Sequence, residues 1–310
     1  MGITMMEVIR MNLLDKFSAV EVKAESRISK SDKHYCEVQQ AAYDHGRKAL
    51  KDMIKVAERF IKEQNDILES VDREVYTNYV YDGRGGVSLT SLHDLLRKSH
   101  ATFIAKIVSY FCKTYRVDLD NGVVIEHLIP KEPRYSSKDD AKEYTEQIES
   151  LEISYKQVLD EIFVQLGGFS FQEKALNELK EKCHKEAWNS YTGKRDFEQK
   201  KAVLSFTRYA CSFDSWHEQW HKGEYEIKLA DGMKDVLRAI AYFEYGQIDY
   251  IPAAFHDLLG WSWTTTETER KCFMEKVKSI KCFKNGRVDV RFTSEEYARQ
   301  FADEFLGTEV

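Results

Sequence analysis

From Ser31 to Tyr79 the apolar residues Leu50, Met53, Ala57, Phe60, Ile67 and Val71 recur at alternating spacings of three and four, with one gap at Gln64. Lys, Glu, Asp and Gln fill the positions between them, and the segment holds no proline and a single glycine, Gly46. That period predicts a long amphipathic helix whose apolar stripe faces a partner. The partner is either a helical bundle of the same chain or another chain, in which case the helix is a projecting arm. Asp82-Gly83-Arg84-Gly85-Gly86 then breaks the pattern. Ser91-x-x-Asp94 reads as a capping box for a helix to about Tyr115, with Leu92, Leu95, Leu96, Ile104, Ile107, Val108 and Phe111 inward. Val123 to Ile125 reads as a short strand. One helix is expected from about Asp139 to Leu166, closed by Gly167-Gly168, and another from about Phe171 to Trp188.

After Gly193 the pattern changes. Ala202 to Cys211 and Tyr225 to Leu229 read as strands, and Asp231 to Tyr245 as a helix. Lys276–Lys284 and Arg287–Phe292 flank Asn285-Gly286, a pair that favours a two-residue hairpin turn. Such a turn sets Phe283 opposite Val288 and Cys282 opposite Asp289. Val288, Val290 and Phe292 then form the core face, and Cys282 lies on the other face. Thr293-x-x-Glu296 caps a closing helix that ends near Leu306, before Gly307. The expected fold is α+β and helix-dominated. It has a helical arm over 1–82, a helical middle region over 83–192 and a C-terminal α+β domain over 193–310 with a β-hairpin.

Composition narrows the function. The chain has 310 residues, 43% of them apolar, enough for a sizeable core and too many for a disordered chain. Its three prolines all lie at or beyond Pro130, which suits an uninterrupted N-terminal helix. Lys and Arg number 46 against 52 Asp and Glu, and the two signs are interleaved, as in Lys180-Glu181-Lys182. Nucleic acid is therefore not the expected partner, because phosphate binding needs a clustered basic surface. The six cysteines lack C-x-x-C spacing, which excludes a disulfide framework or a zinc ribbon. No apolar run reaches the ~18 residues that cross a bilayer, and residues 1–14 lack a signal-peptide core. A cytoplasmic protein is expected.

The sharpest chemical motif is His217-Glu218-Gln219-Trp220-His221, which fits H-E-x-x-H. On a helix, imidazoles at i and i+4 share a zinc ion while the Glu serves as general base, with Glu244 as an imaginable third ligand. Against this, the segment lies between two strands, and Gly223 leaves little length for a helix. A second metal set, Cys183-His184 with Cys211 and His217, needs three distant segments to converge. Asp82–Gly86 matches neither G-x-G-x-x-G nor a P-loop, and no G-x-S-x-G elbow or nucleotide-binding glycine turn occurs. No catalytic residue and no cofactor are therefore assigned. Aromatic density rises instead in the C-terminal third, where Trp261-Ser262-Trp263 sits in a polar loop suited to a protein interface. Phe283 and Asn285 at the hairpin tip, and Leu50 and Phe60 on the arm, join the candidate contacts. So does Cys282, as a free thiol or an inter-chain disulfide.

The run Phe273-Met274-Glu275-Lys276-Val277-Lys278-Ser279-Ile280-Lys281-Cys282-Phe283-Lys284-Asn285-Gly286-Arg287-Val288-Asp289-Val290-Arg291-Phe292 resembles the signature of the domain-of-unknown-function 4942 family. The shared pattern is an aromatic strand, an F-K-N-G turn, an alternating strand ending in Phe, and a closing helix. Tyr209-Ala210-Cys211-Ser212-Phe213-Asp214 and the helix around Asp235 to Gly246 occur in the family's order, and Arg27 to Phe60 resembles its opening helix. Arg287-Val288-Asp289-Val290 replaces the family's Asn and aliphatic-His-Leu pattern, which marks a divergent branch. The resemblance implies a protein of phages, plasmids or other mobile elements, sometimes found beside methyltransferase domains, and it carries over no catalytic residue. Size and architecture also resemble phage inhibitors of the Gabija nuclease–helicase defence complex, which assemble as oligomers around their target. That implies a homo-oligomeric, non-enzymatic inhibitor whose partner is a host defence complex. The alternatives are a DNA-associated accessory protein and a zinc hydrolase using His217, Glu218 and His221.

Overall fold

The computed structural model describes residues 27–68, 89–133, 137–189, 192–207 and 209–307. They form two compact units, one drawn from 1–114 and 119–168, the other from 115–118 and 169–310. The fold is α+β and helix-dominated, with the helices of the first unit preceding two antiparallel sheets in the second.

The first unit contains α1 (Lys30–Leu68), α2 (Leu89–Tyr115), α3 (Asn121–Leu128), α4 (Lys138–Ser150) and α5 (Tyr155–Gln165). The long helix exists, but its inward row is rotated from the expected stripe. Cys36, Tyr43, Ile54 and Ala57 are buried, whereas Met53, Val56 and Phe60 are exposed. Polar groups settle this orientation. Tyr43 stacks on Phe103 at 4.3 Å and donates its hydroxyl to His100 Nδ1 at 2.6 Å. His100, fully buried, donates from Nε2 to the carbonyl of Ile148 at 3.2 Å. Gln40 donates to the carbonyl of Ile153 and accepts from the Tyr155 amide, and Arg47 donates to the carbonyl of Leu151. A buried polar group left without its partner costs about 1–3 kcal/mol, so α1 turns the face that satisfies these groups inward.

Several local expectations are corrected. Val123 to Ile125 is helical, because the Asp120 side chain accepts from the amides of Gly122 and Val123 and starts α3. The single helix from Asp139 to Leu166 is two, since Ser154 and Gln157 form a capping box that opens α5 after a break at 151–154. Ser91 lies inside α2 rather than at its N-cap, and Leu95, expected inward, is exposed. Asp82–Gly86 and the end of the expected arm, beyond residue 68, lie outside the described residues.

The second unit runs α6 (Phe171–Ala187), β1 (Phe197–Lys200), β2 (Val203–Phe206), β3 (Cys211–Phe213), α7 (Ser215–Trp220), β4 (Tyr225–Leu229), α8 (Asp231–Tyr245), α9 (Ala253–His256), β5 (Trp263–Thr265), β6 (Glu269–Lys271), β7 (Val277–Cys282), β8 (Val288–Phe292) and α10 (Glu295–Phe301), closed by a π-helical turn, Ala302–Leu306. The sheets have the orders β1-β2-β8-β7-β6 and β3-β4-β5. The run from Ala202 to Cys211 is thus two strands in different sheets. The second unit takes in α6, which buries Leu179, Cys183 and Ala187 in the same core as Val236, Ile240, Val290 and Phe305. Trp188 Nε1 donates to the carbonyl of Leu306 at 2.7 Å, and the next residue, Gly307, has φ +73°. A Cβ there would stand 2.8 Å from His184 Cδ2, so both backbone and space demand glycine.

The hairpin differs from expectation by one residue. Phe283 donates its amide to the carbonyl of Arg287, Gly286 donates to the carbonyl of Phe283, and Gly286 alone in the loop has positive φ, +85°. This is a three-residue loop ending in a left-handed glycine, the alternative to the two-residue turn. It pairs Cys282 with Val288 and Ile280 with Val290, so all four share the buried face. The closing helix is capped by Ser294, not Thr293, whose hydroxyl donates to the carbonyls of Glu275 and Lys276.

Two titratable groups shifted by burial, one fully and one partly enclosed, give opposite pH responses. Burial holds the His100 pKa below its ordinary value, so the native state refuses a proton that the unfolded chain accepts. Stability then falls as pH drops through ~6.5. Burial, aided by Asp196 and Asp235, pushes Glu186 up to about 7, so the native state keeps a proton that the unfolded chain loses above about 4.5. That contribution is present at low pH and lost as pH rises to 7. In urea unfolding between pH 5 and 8, His100→Gln is expected to flatten the acid loss, and Glu186→Gln to stabilise selectively at pH 8. Tyr43→Phe should cost about 1–2 kcal/mol at pH 7.5 by unpairing His100.

Candidate interaction surface and metal ligands

Helix α7 begins where Asp214 accepts from the amides of Trp216 and His217, at 2.7 and 3.2 Å. It ends after six residues at His221, and Gly223 (φ +90°) turns the chain into β4. Over so short a helix the two tryptophans point outward, at 69% and 75% exposure, and His217 points in with its side chain 18% exposed. The tryptophans therefore lie outside and His217 is half-buried. Its ring stacks on His221 at 4.6 Å, and its two nitrogens each stand 3.7 Å from a carboxylate, Glu224 and Glu226. Ser262 donates to the other oxygen of Glu226 at 2.6 Å, tying β4 to the loop before β5.

Charged side chains connect this helix to the hairpin tip. Lys284 pairs with Glu218, and its ammonium lies over the Tyr225 ring at 5.0 Å. On the next strand Lys228 sits 3.6 Å above the centre of Trp261, which is 77% exposed. Trp263 takes the other role: it pairs with Ile227 in the sheet and packs, half-buried, on the core. Arg287 covers Phe283 at 3.9 Å, and Asn285 accepts from the Arg287 amide within the turn. Tyr209, 82% exposed, has φ +51°, with its backbone against Gly286. Tyr209, Trp216, Trp220 and Trp261 thus stand exposed on elements joined by the Lys284–Glu218 ion pair and the β3–β4–β5 sheet. Trp261 is legible in the sequence from its polar loop, whereas Trp216, Trp220 and Tyr209 are not. Their exposure follows from a short helix and a strained loop, which have no periodicity to read.

Among the described residues, His217 and His221 belong to no group of three ligand atoms within 4.8 Å of one another. Glu218 is held by Lys284, and Glu244 accepts from the amides of Glu275 and Lys276 at 2.7 and 2.9 Å. The set Cys183, His184, Cys211 and His217 is also dispersed. Cys183 lies in the core with its thiol pKa pushed up by burial, and His184 stacks on Trp188. Cys211 meets Cys282 instead. Their mutual hydrogen bond lowers the pKa of Cys211 and, together with burial, raises that of Cys282.

Among the described residues one group does bring three ligand atoms within 4.8 Å of one another: Glu58 on α1, His93 on α2 and Glu149 on α4. No spacing rule finds it, because its members lie far apart in sequence on three helices. His93 Nε2 stands 2.6 Å from Glu149 Oε1.

No family model matches the chain, and neither a curated protein nor a solved structure shows significant similarity to it.

Cys282 is 3% exposed, which removes it from any surface contact. The purified chain is expected to run as a monomer on a non-reducing denaturing gel after mild oxidation. Under native conditions Cys282 should react with a thiol reagent at least ~100-fold more slowly than after unfolding.

Proposed function

We propose that this chain is a non-enzymatic phage or mobile-element protein that binds a host antiviral defence complex, of the nuclease–helicase kind, and thereby inhibits it. The observation that carries the reading is the group of outward-facing aromatics in the second unit, Tyr209, Trp216, Trp220 and Trp261. Large rings held at 69–82% exposure lose contact with water on every approach of a partner, and Trp and Tyr dominate the energetics of protein interfaces. Lys228 and Lys284, spaced among them, supply a polar setting that fits a non-obligate interface. The F-K-N-G hairpin that resembles mobile-element proteins lies at the edge of the same surface. Self-association draws support from Met53, Val56 and Phe60, which line one exposed side of α1, with Leu50 half-buried beside them.

The test is co-purification of the tagged chain with a Gabija-like complex, with plaque counts on cells carrying that defence. Wild type is expected to co-purify and restore plaques. Trp216→Ala with Trp220→Ala and Trp261→Ala should keep the circular-dichroism spectrum and weaken binding by about 30-fold or more, at ~2 kcal/mol for a central tryptophan. A wild-type chain that neither co-purifies nor restores plaques sinks the reading.

A further inference from the structure

Independently of that function, we infer that Glu58, His93 and Glu149 form a binding site for one divalent metal ion, with zinc as the best-suited occupant. Three separate helices deliver one donor each: the side of α1 next to the buried Ala57, the first turns of α2, and the last turn of α4 beside the buried Ile148. The donor atoms already lie within 4.8 Å of one another. Two carboxylates and one imidazole carry two negative charges when the imidazole is neutral, the complement of a divalent ion. One nitrogen with two oxygens is a borderline donor set, which suits zinc and other late first-row ions better than magnesium or calcium.

The geometry is close to, but not at, the bound arrangement. Bonds of ~2.0–2.1 Å at tetrahedral angles separate neighbouring ligand atoms by about 3.3 Å. The 2.6 Å contact between His93 and Glu149 must therefore open by less than an ångström, while Glu58 moves inward. Glu58 is exposed and has no ion pair among the described residues, so nothing restrains that movement. His93 and Glu149 are more enclosed, at 21% and 35% side-chain exposure, and present a partly desolvated pair to the ion. Water fills the fourth position. Lys51 and Lys55 line the adjoining cleft of about 310 Å³ with Glu149. The bound ion would cross-link the long helix to α2 and α4.

The full chain, stripped with a chelator and dialysed, is titrated with zinc chloride by calorimetry, and retained metal is counted by mass spectrometry. One zinc per chain is expected, with a Tm rise of about 5 °C at saturating zinc, and no heat with magnesium. Glu58→Gln, at an exposed position where folding is not at stake, should weaken zinc about tenfold or more, and His93→Gln should abolish it. His217→Ala with His221→Ala should leave binding unchanged. Absence of retained zinc, or zinc binding indifferent to Glu58→Gln and His93→Gln, overturns the proposal and leaves His93 and Glu149 as an ion pair alone.

Discussion

The second unit depends on the length of one turn. With three residues, Lys284 to Gly286, between Phe283 and Arg287, the strands of the central hairpin meet in the register that places Ile280 and Cys282 against Val290 and Val288. Side chains alternate across a sheet, so a slip of one residue would move every one of them to the opposite face. The glycine at φ +85° makes the longer loop accessible, and Cys211, whose amide donates to the carbonyl of Gly286, fastens the turn to the second sheet. Val288 and Val290 then lie in the interior, where α6, α8 and the π-helical turn also bury their apolar faces.

The same turn shapes the exposed surface beside it. Once Cys282 is inward, Phe283, Lys284 and Arg287 are left at the rim, and Lys284 reaches Glu218 on α7. That ion pair ties the hairpin tip to a helix whose tryptophans lie outward. An H-E-x-x-H sequence thus becomes part of an aromatic surface because its helix is six residues long and its glutamate is already paired. Resemblance to a zinc motif lies in the order of residues. Zinc binding would need a third ligand atom beside the two imidazoles, and among the described residues none completes such a group.

In the first unit the ordering agent is polar. An apolar stripe on a long helix can be rotated by one position at little cost, since Met53 and Ile54 are nearly equivalent as hydrophobes. The Tyr43–His100–Ile148 chain is not so tolerant, because each of its members is buried and would be left unpaired by a rotation. Burial holds Tyr43 at about 12 and keeps His100 neutral, so the chain consists of neutral hydrogen bonds. The same helix orientation carries Glu58 towards His93 and Glu149.

Periodicity by itself determined the fold class, the existence of α1, α6, α8, β4 and both hairpin strands, and the core face of β8, because each of these elements is long enough to carry a repeating apolar pattern. Short elements escaped it. Val123 to Ile125 carries strand-forming residues, yet one carboxylate at Asp120 makes it a helix, since capping outweighs propensity over so few residues. Tertiary structure alone decided which row of α1 faces inward, the register around Gly286, the outward turn of Trp216 and Trp220, and the meeting of Glu58, His93 and Glu149. In each case the deciding contact joins residues distant in sequence or a loop with no period, and its energy exists only once the partners have been brought together.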